Sequence, residues 1–155
     1  MTSYDCGMDD TDNPLLLKDQ LCFSLYAASR SVTALYRPML DELGLTYPQY
    51  LVLLVLWEHG TSPVKDLGNA LQLDYGTLSP LLKRLEANGL VRRTRRADDE
   101  RSVAVALTDE GAALRDRALS VPPVIGTAMG LKEEEFGVLR DLLTRLTSSV
   151  QAYTA

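Results

Sequence analysis

The chain has 155 residues, of which 46% are hydrophobic and 24% are charged, an ordinary balance for a soluble globular protein. Its formal net charge of -5 argues by itself against a nucleic acid partner. No apolar run approaches the roughly 20 residues that span a bilayer, and the acidic N-terminus lacks the apolar core of a signal peptide, so we expect a cytoplasmic protein without a membrane partner.

The first third of the chain predicts a tail and then a helical segment. Residues 1–11 are small, acidic and aperiodic, which is typical of a disordered tail. Asp12-Asn13-Pro14 is a helix-start signal, and apolar residues recur at helical spacing from Leu15 to Leu43. Pro38 is expected to break or kink this segment, giving a long helix followed by a short one.

The middle of the chain predicts a core helix and a helix-turn-helix. Thr46-Tyr47-Pro48-Gln49 has the form of a capping box, and the run from Tyr50 to Glu58 is apolar nearly all round, as in a helix at the centre of a core. Helices are expected over 64–71 and, after a tight turn, over 75–88. Gly89 ends the second of these.

A short hairpin and two helices complete the chain. Residues 90–95 and 102–107 are predicted to form strands. A helix over 109–120 follows, Pro122-Pro123 interrupts it, and a last amphipathic helix begins near Leu131. A helix followed directly by a charged hairpin is the layout of a winged helix, which places its helix in the DNA major groove and its wing on the neighbouring backbone.

The distribution of charge reverses the argument from net charge. Between Lys83 and Arg101 there are 7 basic and 4 acidic residues, so this segment carries +3 and the remainder carries -5 - 3 = -8. A local basic patch can bind phosphates while the acidic remainder keeps the molecule soluble. A solvated charged hairpin is the alternative interpretation.

Leucines on one face of the helix over 75–88 point inward, which leaves a polar face for DNA. Small hydroxyl residues near its start can approach bases and phosphates, the helix N-terminus attracts phosphate, and arginines suit the wing. An ordinary amphipathic helix with a polar outer face is the alternative. The candidate DNA-binding residues are Tyr75, Thr77, Ser79, Lys83, Arg84, Arg95, Arg96, Asp99 and Arg101.

The two cysteines, Cys6 and Cys22, do not make a disulfide framework, and with His59 as the one histidine we expect no metal site and no cofactor. Cys22 lies in an apolar helical segment, with Tyr26 one helical turn further on. On spacing alone such a cysteine is more often an inert core residue than a reactive thiol.

The stretch from Arg95 to Gly111, RRADDERSVAVALTDEG, resembles the wing signature of the MarR family of dimeric winged-helix regulators. The resemblance extends from about Leu16 to Val150. In the first half, QLCFSLYAASR and LYRPMLDELGLTYPQYLVLLVLWE look like the OhrR subgroup, the repressors that sense organic hydroperoxides. The implied fold is mainly α with a small β-wing, a winged helix-turn-helix dimerised through its N- and C-terminal helices.

By this resemblance Cys22 matches the peroxidatic cysteine of the subgroup. Tyr26 and Tyr36 match tyrosines that hydrogen-bond its sulfur, and Tyr47 matches a third tyrosine nearby. Tyr36 would approach along the same helix face if the helix continues, or else from the partner subunit. Some members resolve the oxidised cysteine with a second, late cysteine; VPPVIGTAMG has none, which indicates that a low-molecular-weight thiol caps the sulfur, with Cys6 as an alternative resolver.

The first and last helices both carry broad apolar stripes that one DNA-binding unit cannot easily cover. We therefore expect a homodimer in which residues 12–45 and 109–155 supply dimerisation helices and residues of about 62–107 supply the DNA-binding unit, all in one domain over 12–155. A two-fold dimer reads a pseudopalindromic double-stranded operator.

These expectations predict a redox-sensing repressor, not an enzyme, that an organic hydroperoxide releases from DNA by oxidising Cys22. One alternative is a MarR-type regulator that responds to a phenolic or other small ligand in the dimer cleft. A second is a thiol peroxidase, although no CxxC and no paired base accompany Cys22. A third is a winged-helix module for protein contacts alone.

Overall fold

The computed structural model describes residues 13–96 and 99–155, without the side chains of 96 and 99–101. The tail predicted over 1–11, together with Cys6, lies outside the described residues. Helices α1 to α7 span, in order, Leu21–Glu42, Tyr47–His59, Val64–Leu71, Tyr75–Ala87, Asp109–Ala118, Val121–Met129 and Glu133–Thr154. Strands β1 to β3 span Ser62–Pro63, Val91–Arg96 and Asp99–Leu107.

The three strands form one antiparallel sheet in the order β1-β3-β2, and α3, α4, β2 and β3 follow one another as in a winged helix. The predicted class, mainly α with a small β-wing, is therefore confirmed. Within the described ranges, no helix combines the length and the apolar character that crossing a bilayer requires. The chain divides into two compact units, Met1–Leu35 and Tyr36–Ala155, and α1 begins in the first and ends in the second.

The start of the first helix is later than the sequence predicts. The side chain of Asn13 accepts a hydrogen bond from the amide of Leu15 at 3.0 Å, which closes a turn, and a short 3-10 helix follows over Leu17–Asp19. The side-chain amide of Gln20 donates to the carbonyl of Pro14 at 2.8 Å. These local bonds use backbone groups that a helix from Leu15 would need, so α1 begins at Leu21.

Pro38 does not divide the helical segment, and the prediction of a break there is wrong: α1 runs unbroken past it to Glu42. An internal proline costs about 3 kcal/mol or more because it removes one hydrogen bond and crowds the preceding turn. Packing beyond the proline offsets that cost. Leu40 is buried, and the guanidinium of Arg117 donates to the carbonyl of Glu42 at 2.7 Å, satisfying the end of the helix.

Helix α2 is the centre of the core, as its apolar sequence predicts. Thr46 forms the expected capping box with Gln49, since each side chain accepts a bond from the other residue's backbone amide. Val52, Leu53 and Leu56 are fully buried. The helix is therefore fixed at its first turn and along its inner face.

The helix-turn-helix and the wing are joined by a strand that the sequence did not reveal. Ser62 pairs with Val105 and Pro63 with Ala104, so the start of α3 is attached to β3. Gly111 of α5 approaches the carbonyl of Leu90 so closely that any larger residue would overlap it. The sheet, α3 and α5 are thus held together within one unit.

The C-terminal third contains one helix beyond those predicted. Pro122 and Pro123 do end α5, but they lie in the first turn of α6, where amide groups have no helical partner to lose. Val121 and Ile125 bury one face of α6. By contrast, α7 buries no residue within this chain. Its large exposed apolar side chains are Phe136, Val138, Leu139, Leu142, Leu143, Val150 and Tyr153.

Candidate DNA-reading surface and thiol site

Helix α4 presents one buried and one open face. Leu78, Leu81, Leu82 and Leu85 are buried against the unit, as their spacing predicts. The opposite face, which includes Lys83 and Arg84, is exposed. Both cations extend from the open face of the helix, which is where residues that contact backbone phosphates have to lie.

The N-terminus of α4 is occupied by the helix's own capping residue. The carboxylate of Asp74 accepts a bond from the amide of Thr77 at 2.7 Å. Hydrogen bonds from the backbone and side chain of Thr77 lower the pKa of Asp74. This cap satisfies one of the free amide groups in the first turn of the helix, and the expected attraction of phosphate to this N-terminus stays a prediction. Tyr75, next in sequence, is 71% exposed.

The predicted wing residues are only partly described. Arg95 is exposed on β2. Arg96 lies at the end of β2, and Asp99 and Arg101 lie on β3, but their side chains are outside the described part of the chain. Their DNA-binding roles therefore stay predictions.

A pair of charged residues that sequence reasoning missed connects α4 to the wing. Glu86 accepts bonds from the backbone amide of Arg93 at 2.8 Å and from its guanidinium at 3.0 and 3.3 Å. The side-chain bond with Arg93 is the main cause that lowers the pKa of the Glu86 carboxyl. The seven-residue separation crosses a helix end and a turn, so no helical spacing could have indicated the pair.

A crevice of about 640 Å³ separates α3, α4 and the wing. Tyr75 and Ser79 line it on α4, Lys65 lines it on α3, and Arg93 and Ser102 line it on the two strands. Its lining includes the buried apolar side chains of Leu78 and Leu82 as well as the two cations. Tyr75 and Ser79 were predicted to bind DNA, so this crevice opens on the candidate DNA-reading surface.

The thiol of Cys22 is free and exposed near the start of α1. Leu21 and Phe23 beside it are 65% and 44% exposed, and Tyr26 is 60% exposed with the guanidinium of Arg30 5.4 Å from its ring centroid. Cys22 therefore does not lie in the core of its own chain, and its reactivity stays a prediction. Its neighbours Leu21 and Phe23 form an exposed apolar surface beside the thiol.

Three tyrosines form an aromatic cluster in the second unit. The ring centroid of Tyr36 lies 4.7 Å from that of Tyr47 and 5.8 Å from that of Tyr50. Burial raises the pKa of all three phenols, with charge repulsion from Tyr47 adding to the rise for Tyr36 and Tyr50. The phenols stay neutral and able to donate at physiological pH. Tyr50 was missed as a site residue, although it lies three residues after Tyr47 on the same helix face.

No cluster of side chains suited to a metal ion occurs among residues 13–95 and 102–155. The arrangement as a whole offers a basic reading face, an exposed thiol and a group of neutral phenol donors. These parts suit nucleic acid binding and thiol chemistry.

Comparison with known proteins agrees with this description. The profile of a family described as transcriptional regulator SarA/Rot matches residues 34–117. The organic hydroperoxide resistance transcriptional regulator of Bacillus subtilis (strain 168) is 48% identical over 139 residues, which is 90% of this chain and 92% of the relative.

Solved structures of AbfR, a protein of Staphylococcus epidermidis, are also similar. Reduced AbfR bound to DNA is 35% identical with a TM-score of 0.75, covering 90% of this chain and 95% of that one. Overoxidized AbfR bound to DNA is 38% identical with a TM-score of 0.73, covering 86% and 94%.

Proposed function

Because this chain belongs to the SarA/Rot-type and MarR-type winged-helix transcriptional regulators, within the organic-hydroperoxide-resistance (OhrR) subgroup, we propose that it is a repressor that senses peroxide through Cys22. It is a DNA-binding regulator. The observation that carries the sensing role is the exposed free thiol of Cys22, flanked by the exposed apolar side chains of Leu21 and Phe23. A thiolate that is accessible to its substrate is what oxidation by a peroxide requires.

The repressor acts as a homodimer. Helix α7 buries none of its residues within the chain, and its apolar face includes Phe136 at 48% and Leu142 at 46% exposed. A large apolar face that its own chain leaves uncovered is typical of an interface. A second copy related by a two-fold axis would cover it, and two α4 helices would then read a pseudopalindromic operator.

The phenol donors to the sulfur come from a second copy. Residues 22 and 36 are 36 - 22 = 14 positions apart on α1. Fourteen residues of an α-helix extend about 21 Å, which is far beyond hydrogen-bonding distance, although the two positions share a face. Tyr36 and Tyr47 of one copy therefore serve Cys22 of the other, and Tyr26 adds a donor from one turn away.

The chemistry takes two balanced steps. The thiolate of Cys22 attacks the outer oxygen of an organic hydroperoxide, the O–O bond breaks, and the products are the sulfenic acid and, after protonation, an alcohol. A low-molecular-weight thiol then attacks the sulfenic sulfur, which forms a mixed disulfide and releases water. Neutral phenols aimed at the sulfur stabilise the thiolate that begins the sequence.

The adduct, not the oxidised sulfur alone, drives release from DNA. A mixed disulfide is too large and polar for an apolar pocket, so α1 and the tyrosine cluster must move. The change alters the spacing of the two reading helices and weakens binding to both half-sites together. Overoxidized AbfR was crystallised bound to DNA, which supports the view that oxidation by itself does not abolish DNA binding.

The test is a titration of the reduced protein with cumene hydroperoxide in the presence of a small thiol. A duplex selected by the protein from a random-sequence library serves as operator. We expect release of the duplex in proportion to a mass increase at Cys22 equal to one thiol adduct. Release without any adduct, or a complete adduct without release, would contradict the proposal. Continuous consumption of peroxide would indicate a thiol peroxidase.

One observation favours a second candidate, a regulator that responds to a small aromatic ligand. A cavity of about 450 Å³ lies between α2, α5 and α6, lined by Tyr50, Trp57 and Leu54 together with Glu58 and Arg115. Its aromatic walls suit a phenolic compound. Release of DNA by such a compound from a Cys22→Ser protein would establish this role.

A further inference from the structure

Arg93 lies on the DNA-reading surface, but its guanidinium is already bound by a carboxylate of the same chain. It lines the crevice together with Tyr75 and Ser79, within the basic segment between Lys83 and Arg101. Yet its guanidinium makes two bonds to Glu86, at 3.0 and 3.3 Å. An arginine so placed would otherwise bind a phosphate of any sequence.

Glu86 also fixes the wing to the recognition helix. One of its carboxylate oxygens accepts from the backbone amide of Arg93 at 2.8 Å, while the other accepts from the guanidinium. Bonds of this kind, in which a charged group meets backbone and side chain together, are about twice as strong as neutral ones. The side chains of Arg93 and Glu86 are 28% and 38% exposed, so solvent screens the pair only in part.

From these contacts we propose that Glu86 is a specificity-determining residue: it neutralises Arg93 and fixes β2 to α4, so that DNA is held by sequence-dependent contacts and less by backbone charge. The inference concerns DNA binding by this surface and is independent of peroxide sensing. It explains why an acidic residue is present at the end of a helix that must approach a polyanion.

The consequence is measurable because binding to phosphates determines salt dependence. Each additional phosphate that the protein neutralises steepens the slope of log affinity against log salt by about 0.9, which is roughly a 3-fold greater decrease in affinity between 50 and 200 mM salt. Release of Arg93 in both subunits of a dimer would double the change in slope to about 1.8, which is roughly a 12-fold greater decrease over the same salt range. The released cation strengthens binding to every duplex alike, while loss of the Glu86 bonds frees β2 from α4 and weakens the sequence-dependent contacts with an operator, so discrimination falls.

The experiment compares Glu86→Gln with the wild-type protein on two 30-base-pair probes across a salt series. One probe is a duplex selected by the wild-type protein from a random library, and the other is a shuffled duplex of the same composition. For Glu86→Gln we expect tighter binding and a steeper slope on the shuffled duplex, by about 0.9 per Arg93 released, and a lower ratio of selected to shuffled affinity. Glu134→Gln, an exposed glutamate in the first turn of α7, is the control for net charge.

The double variant Glu86→Gln/Arg93→Gln separates the proposal from a structural effect. It removes the released cation, so we expect its slope on the shuffled duplex to return to the wild-type value. A slope unchanged in Glu86→Gln, an equal change in Glu134→Gln, or no return in the double variant would overturn the proposal. Failure of the wild-type protein to select any duplex would instead contradict DNA binding itself.

Discussion

The ring of Tyr36, on α1, lies against the ring of Tyr47, the first residue of α2, with centroids 4.7 Å apart and planes inclined by 46°. Thr46 ends the preceding loop with a capping box, so the position of Tyr47 is fixed by the start of its helix. Any movement of the C-terminal part of α1 must therefore disturb this contact. The contact relates α1, the helix that carries Cys22, to α2, the helix at the centre of the core.

Removal of one phenol donor should slow the oxidation of Cys22. We expect Tyr36→Phe to react with cumene hydroperoxide about 10-fold more slowly, because a hydrogen bond to a charged acceptor contributes about 1.5–3 kcal/mol. The rate is followed by the decrease in free thiol at pH 7. Tyr153→Phe, which removes a hydroxyl from a side chain that is 93% exposed, is the control. Equal oxidation rates in the two variants would show that Tyr36 does not stabilise the thiolate of Cys22.

The tyrosine cluster should make the protein sensitive to alkali. Burial raises the pKa of Tyr36, Tyr47 and Tyr50, so the folded chain holds these protons more tightly than the unfolded chain. The resulting stability is fully present below the unfolded pKa, near 10, and is lost as pH rises through the raised values. Urea unfolding between pH 8 and 11 measures the decline, and Tyr50→Phe should show a smaller one. An identical decline in that variant would contradict this assignment.

Local signals in the sequence were sufficient for much of the fold. Three correctly predicted features depend only on neighbours within a few residues. They are the capping box at Thr46, the inward leucines of α4, and Gly89, which ends α4 with a φ of 73°. The predicted break at Pro38 was wrong because the energetic cost of the proline is local, whereas the bond that offsets it comes from the guanidinium of Arg117, far along the chain. Strand β1 was missed because two residues carry no periodicity.

Neutralising a cation on the open face of α4 should weaken DNA binding without regard to sequence. We expect Lys83→Ala to lower the affinity for selected and shuffled duplexes by a similar factor, and to reduce the salt slope by about 1 for each phosphate that the protein no longer binds. Fluorescence anisotropy at several salt concentrations measures both. Arg145→Ala, an exposed cation on α7, is the control. A decrease confined to the selected duplex would show that Lys83 reads bases instead.

A charge on the apolar face of α7 should separate the proposed dimer. Leu142 is 46% exposed in the single chain, so Leu142→Glu leaves the core intact while it places a carboxylate in the interface. We expect monomers in sedimentation analysis and loss of cooperative binding to a duplex with two half-sites. Ala152→Glu, at an exposed position further along α7, is the control. An unchanged dimer would place the interface elsewhere.

The thiol site was less accessible to sequence reasoning than the reading helix. The sequence indicated Cys22, Tyr26, Tyr36 and Tyr47 through a resemblance, but not that Cys22 would be exposed in its own chain. Burial depends on which helices pack together, and a site that a second copy completes, as proposed for this one, leaves no pattern in one chain. The pair of Glu86 and Arg93 was missed for a related reason, because it joins a helix to a strand across a turn.

The central claim is that one sulfur atom couples peroxide to DNA binding, and Cys22→Ser tests it most directly. The wild-type protein and the variant are each bound to the selected duplex, and anisotropy is recorded as cumene hydroperoxide and a small thiol are added. We predict that the wild-type protein dissociates while Cys22→Ser, which cannot form a mixed disulfide, stays bound with its initial affinity. Dissociation of the variant at the same peroxide concentration would contradict the account.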